Sequence, residues 1–149
     1  MRNFDNDPNN GNWHTVPYTN RTRFISQPIS AERRAGEQEF EKRKIYFNII
    51  PYDDPIAIRV TDILKKNIHA LHTEMNKMSS VSYASWSHLD GLNWEVLIIN
   101  EAYIETYTHA GGKIVTTAAS IRGYTDQQLA TLLAHEVCSG FLVYYSFCT

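Results

Sequence analysis

The sequence predicts an α+β domain, mostly helical, with a small antiparallel sheet. Three observations carry that expectation. A long run of apolar residues at helical spacing follows Asp54-Pro55. Two short β-rich runs flank a Gly-Gly pair at 111–112. A second apolar helical stripe follows Thr125 near the end of the chain.

The 149 residues fit a single domain with a core of useful size. Hydrophobic residues make up 43% and charged residues 20%, a globular composition. A net charge of −2 supplies no electrostatic pull towards nucleic acid, so no nucleic-acid partner is expected. No run of 18 or more apolar residues occurs, so no membrane span is expected. The two cysteines, Cys138 and Cys148, do not make a disulfide framework.

In chain order, residues 1–15 read as a disordered leader, because Met1–Asn12 is rich in Asn and Asp. The leader lacks the apolar core of a signal peptide and the arginine-rich character of a transit peptide. Ser30 is placed to cap a first helix reaching Phe47, with Glu32, Arg33, Arg34, Glu37, Glu39, Glu41, Lys42 and Arg43 on its wet sides. Pro51–Pro55 reads as a linker. Asp54 caps a second helix that opens on Pro55, where a missing N–H costs nothing. Ile56, Val60, Ile63, Leu64, Ile68, Leu71, Met75 and Met78 then line one face, with the methionines read as core filler.

Residues 79–90 read as a polar loop. Leu92–Ile99 and Lys113–Thr117 read as strands, with Tyr103–Thr108 as a third. Thr125 with Gln128 forms a capping-box pattern, and Asp126 places a negative charge in the first turn of a last helix. Leu129, Leu132, Leu133 and Val137 form its apolar stripe, with His135 off the centre of that stripe.

That helix carries the candidate chemistry. Leu133-Ala134-His135-Glu136-Val137 matches the first half of His-Glu-x-x-His. Histidines four apart project from one helix face and reach one Zn²⁺, and the adjacent glutamate serves as general base. Here the i+4 position is Ser139, a poor ligand. Cys138 at i+3 offers a thiolate about a third of a turn away. Three other features read as structural. His69 and His72, spaced i, i+3, mark a solvated helix face. His109 beside the glycine pair is a stray metal contact at most. Gly111-Gly112-Lys113 lacks the spacing of a phosphate loop, since Ile114 follows the lysine.

From Trp94 to Val137 the chain resembles a family of membrane-associated zinc metalloendopeptidases. It includes HtpX, the CAAX prenyl endopeptidase and the mitochondrial inner-membrane protease whose activity overlaps the m-AAA protease. Trp94-Glu95-Val96-Leu97-Ile98-Ile99 resembles the family's Trp-containing strand. Glu105–Ile114 resembles Asn-Ala-Phe-x-Leu-Pro-Gly-Gly-Lys-Ile, and Thr125-Asp126, Leu129-Ala130 and His135-Glu136 follow in register. Val16–Arg21, Arg23-Phe24 and Glu32–Phe40 resemble the mitochondrial branch.

The resemblance implies a zincin-like domain over residues 16–137, zinc-dependent peptide-bond hydrolysis in membrane protein quality control, and a protein or peptide substrate. His135 would be a metal ligand and Glu136 the catalytic base. Gly111 and Gly112 would shape the substrate cleft beside an edge strand that binds peptide by strand addition. It also implies a mitochondrial, inner-membrane location.

The departures bear on activity. Glu105-Thr106-Tyr107 replaces Asn-Ala-Phe, and His109-Ala110 replaces Leu-Pro. Ala118-Ala119-Ser120-Ile121 replaces Thr-Gly-Leu-Leu, which predicts a turn strained by the loss of glycine. After Val137 the resemblance stops. Residues 138–149 read as an unrelated apolar tail without histidine or acid, whose segment Phe141–Phe147 is aggregation-prone if exposed. The family's third ligand, a glutamate, would fall beyond Thr149. The domain is thus expected to be truncated and incomplete at its C-terminus, with one face of the His135 helix uncovered. The expected function is metalloendopeptidase by resemblance, inactive as the chain stands. The alternative is a non-catalytic paralogue that binds peptides or full-length relatives.

Overall fold

The computed structural model describes residues 12–15, 22–25, 29–78 and 91–143. In chain order they form β1 (Asn12–Thr15), β2 (Thr22–Ile25), α1 (Ile29–Tyr46), α2 (Pro55–Met78), β3 (Glu95–Ile99), β4 (Thr106–His109), β5 (Lys113–Thr117), α3 (Ala118–Arg122) and α4 (Asp126–Val143). The class is α+β, as expected. β1 and β2 pair antiparallel, with Asn12 opposite Ile25. The last four residues of the expected leader, 12–15, are therefore strand; the rest of it and the loop at 79–90 lie outside the described residues.

The helix starts follow from their side chains. The Asp54 carboxylate accepts the Ile56 N–H at 2.8 Å, and Pro55 opens α2. At α4 the capping box closes in both directions. The Gln128 N–H reaches the Thr125 hydroxyl at 3.3 Å, and the Thr125 N–H reaches Gln128 Oε1 at 2.9 Å. α1 begins one residue before Ser30, which sits in its first turn instead of capping it.

Residues 118–121 depart from expectation. No glycine is needed there, because the segment is the short helix α3, capped by the Thr117 hydroxyl and closed by Gly123 at φ −79°. The expected strain is absent because the backbone turns in the right-handed region, which alanine adopts freely.

The second sheet has the order β3-β5-β4 and is mixed, not purely antiparallel. β3 and β5 run parallel, with Glu95 opposite Lys113 and Ile99 opposite Thr117. β4 runs antiparallel to β5, with Thr106 opposite Thr116 and His109 opposite Lys113. After β3 the chain passes over the central position, lays β4 at the far edge, then turns back at 110–112 to fill the middle with β5. The outer side of β3 is covered by residues 48–50: Ile50 N–H donates to Ile98 O at 2.9 Å, and Asn100 N–H to Asn48 O at 2.8 Å. Among the described residues no strand covers the outer side of β4.

Strand alternation divides the core in two. Val96, Ile98 and Ile114 face α2, α3 and α4, packing with Val60, Leu64, Ile121, Leu129, Leu133 and Val137. Leu97, Ile99 and Val115 face α1, where Phe40 is fully buried. The α4 stripe at Leu129, Leu133 and Val137 is buried, as an apolar stripe facing a core should be. α4 also runs unbroken through Cys138 to Val143, so the helix does not end where the resemblance does. Among the described residues no helix is long and apolar enough to cross a membrane.

Candidate functional site: helix α4 beneath the edge strand β4

The glycine pair makes the β4–β5 turn. Gly111 and Gly112 take φ of 89° and 82°, the left-handed region that side chains rarely enter. A Cβ on Gly112 would lie 3.0 Å from the Trp94 ring, so that ring packs directly on the turn. On the other side the turn meets α1, because Gly36 presents bare backbone to the Ala110 carbonyl. These contacts fix the height of β4 on the sheet.

β4 projects Thr106 and Thr108 to one face and Tyr107 and His109 to the other. Thr106 Oγ1 lies 2.7 Å from Thr116 Oγ1. Thr108 meets α4: its hydroxyl lies 2.8 Å from Glu136 Oε2 and 3.1 Å from Glu136 O. A hydroxyl has one proton, and the charged carboxylate is the stronger acceptor.

The expected site residues are thus treated differently by the fold. Glu136 is 7% exposed and turned into the α4–β4 contact. His135, the next residue on the helix, is exposed, as is Cys138, and Ser139 is half-buried. No group of three or more His, Cys, Asp or Glu side chains comes together among the described residues. Catalytic zinc takes three protein ligands and an open position. The described residues do not fit it, since His135 stands without companions of the right chemistry. His69 and His72 lie exposed on α2, as their solvated-face reading predicts.

Two features escaped the sequence reading. Thr108 is the first; alternation along β4 shows which residues share its face, but its partner on α4 is set by tertiary packing alone. The second is Lys113, only 1% exposed, whose ammonium lies 3.2 Å from Glu37 and 3.1 Å from Glu95 and 5.4 Å from the centre of the Phe40 ring. Glu95 also accepts from Lys44 at 3.1 Å and Tyr52 at 2.8 Å. Burial alone would raise the Glu95 carboxyl, but the hydrogen bonds from Tyr52, Lys113 and Lys44 outweigh it and hold the group below its usual range. Lys44 shifts up by the same logic: burial disfavours its charge, and bonds to Glu41 and Glu95 overcome this.

His109 lies on the α1 face, its ring edge-on to Tyr107 with centroids 5.1 Å apart. Its Nε2 is buried without a hydrogen-bond partner. Burial first, and the Arg43 cation second, push this histidine below its ordinary value.

The comparison with known proteins bears on this arrangement of the His-Glu helix and β4. The chain is similar to a curated protein described as mitochondrial metalloendopeptidase OMA1, from Arabidopsis thaliana. The two are 28% identical over 189 residues, an alignment covering 85% of this chain and 39% of that relative. The chain therefore spans well under half the length of the relative it matches. No family model matches the chain, and no solved structure matches it.

Proposed function

We propose that this chain is a relative of the zinc metalloendopeptidases and carries one half of such a site. In this reading β4 is the edge along which an extended peptide docks, the Gly111-Gly112 turn shapes the end of that groove, and α4 carries the metal-facing His135 and the glutamate Glu136. Residues 16–137 make up the domain, and the location is mitochondrial, by similarity to the relative. The observation that carries the reading is the placement of the His-Glu pair on a helix packed against β4, whose outer side no strand covers among the described residues, together with similarity along 85% of the chain.

The ligand set decides between cleavage and binding. His135 is accompanied by Ser139 at i+4, a neutral hydroxyl and a poor zinc ligand. With that ligand set the described residues favour docking of peptide over its cleavage. Association with a full-length relative is the corollary, since a half-site holds peptide for a complete one.

The test is metal stoichiometry with turnover. The purified chain is loaded with zinc, dialysed and assayed for bound metal and for casein cleavage. The expected result is well under one zinc per chain and no cleavage. One tightly held zinc per chain, lost in His135→Ala, together with casein cleavage, would show a complete enzyme instead.

A further inference from the structure

We infer that the Thr108 hydroxyl and the Glu136 carboxylate form a latch that holds β4 against α4, which makes Thr108 a positioning residue for peptide at the free edge of β4. The inference rests on the peptide-docking reading above and assigns Glu136 its work in this chain.

Three observations carry it. β4 is short, Thr106–His109, and among the described residues it pairs on one side, with β5. As the edge of the three-stranded sheet, β4 has a ladder on one side and is the strand with the fewest backbone bonds to hold it. Side-chain contacts to the helix below supply the hold. Of the β4 side chains on the α4 face, Thr106 is taken by Thr116 on the neighbouring strand, while Thr108 reaches the helix. Its acceptor is the side chain of Glu136, and a buried carboxylate that loses its donor is left with an unpaired charge. The bond is thus strongly favoured whenever β4 is seated, and the seated strand presents the backbone groups a peptide would pair with.

The latch needs a donor at 108 facing the carboxylate at 136. Thr108→Val keeps the shape and removes the donor. Thr108→Ser keeps the donor.

The experiment measures amide hydrogen exchange along β4 in the full chain and, in parallel, the anisotropy of a fluorescent, unstructured casein peptide. In Thr108→Val the β4 amides are expected to exchange at least about fivefold faster while α2 amides keep their protection. The peptide Kd is expected to rise by about the same factor. Thr108→Ser is expected to stay within about twofold of the unaltered protein on both readouts. The latch is overturned if β4 protection is unchanged in Thr108→Val, if the loss spreads equally to α2, or if Thr108→Ser behaves like Thr108→Val. Should the unaltered chain bind no peptide at all, the docking reading fails, and the exchange data still decide the latch.

Discussion

Gly36 on α1 and Ala110 at the tip of the β4–β5 turn are in backbone contact, so close that a Cβ on Gly36 would overlap the Ala110 carbonyl. The obstacle is main chain on both sides, which cannot rotate away. Gly36→Ala is therefore expected to force α1 off the hairpin and cost about 3 kcal/mol, the upper range for overpacking. Urea unfolding measures it; a loss below about 0.5 kcal/mol would mean that α1 and the turn do not touch in solution.

The α4 start gives a second prediction. The Thr125 hydroxyl and the Gln128 side chain each satisfy an N–H at the first turn. Thr125→Ala should cost about 1 kcal/mol, and Thr125→Ser or Thr125→Asp should recover most of it. Chemical denaturation of the three variants compares them directly, and equal midpoints for alanine and serine would remove the cap from the account.

Acid stability should be governed in part by Glu95. Its carboxyl titrates below the ordinary glutamate value of 4.5 in the folded chain, because Tyr52, Lys113 and Lys44 outweigh its burial. A depressed folded value means that the unfolded chain takes up a proton first as pH falls. The stabilisation is complete above about pH 5 and is lost on going down through the folded value. Glu95→Gln should flatten the stability profile below pH 5 while lowering stability at neutral pH. An unchanged acid slope in that variant would locate the acid sensitivity elsewhere.

His109 acts in a different window. Burial and Arg43 hold its imidazole below the ordinary 6.5, while Glu39 pulls weakly the other way. The unfolded chain is protonated first, so stability falls as pH drops below about 6.5. Its Nε2 is buried and unpartnered, which is itself a cost. His109→Phe should remove the fall in stability below about pH 6.5 and leave stability at neutral pH equal or higher by up to about 1 kcal/mol. Thermal melts across that range suffice; a slope that survives the substitution refutes the assignment.

The parts of the fold that sequence shows are those set within a few residues. Asp54-Pro55 and Thr125 with Gln128 announce their helices because capping is local chemistry. Val96–Ile99 and Lys113–Thr117 announce strands through β-branched runs. The parallel pairing of β3 with β5 does not show, since strand-forming character carries no direction; it depends on β4 being laid at the far edge first. Residues 118–121 misled because a lost glycine suggests strain, whereas the Thr117 hydroxyl had already made a helix start of them.

The site divides in the same way. The His135-Glu136 pair and its helix are legible from spacing and capping. That His135 lies off the apolar stripe is legible as well; the partner of Glu136 is not, because only the position of β4 supplies it. Thr108 was invisible for the same reason, being 28 residues from the carboxylate it serves.

The buried ammonium of Lys113 has one more consequence. At 1% exposure it is shielded from mobile ions, whereas the Arg59–Asp126 pair joining α2 to the start of α4 has its carboxylate 74% exposed. Dissolved salt screens open pairs far more than enclosed ones. Raising ionic strength should therefore slacken the α2–α4 side of the sheet while the α1 side keeps its grip, making the molecule unequal in its two halves under a condition that leaves every covalent and apolar contact untouched.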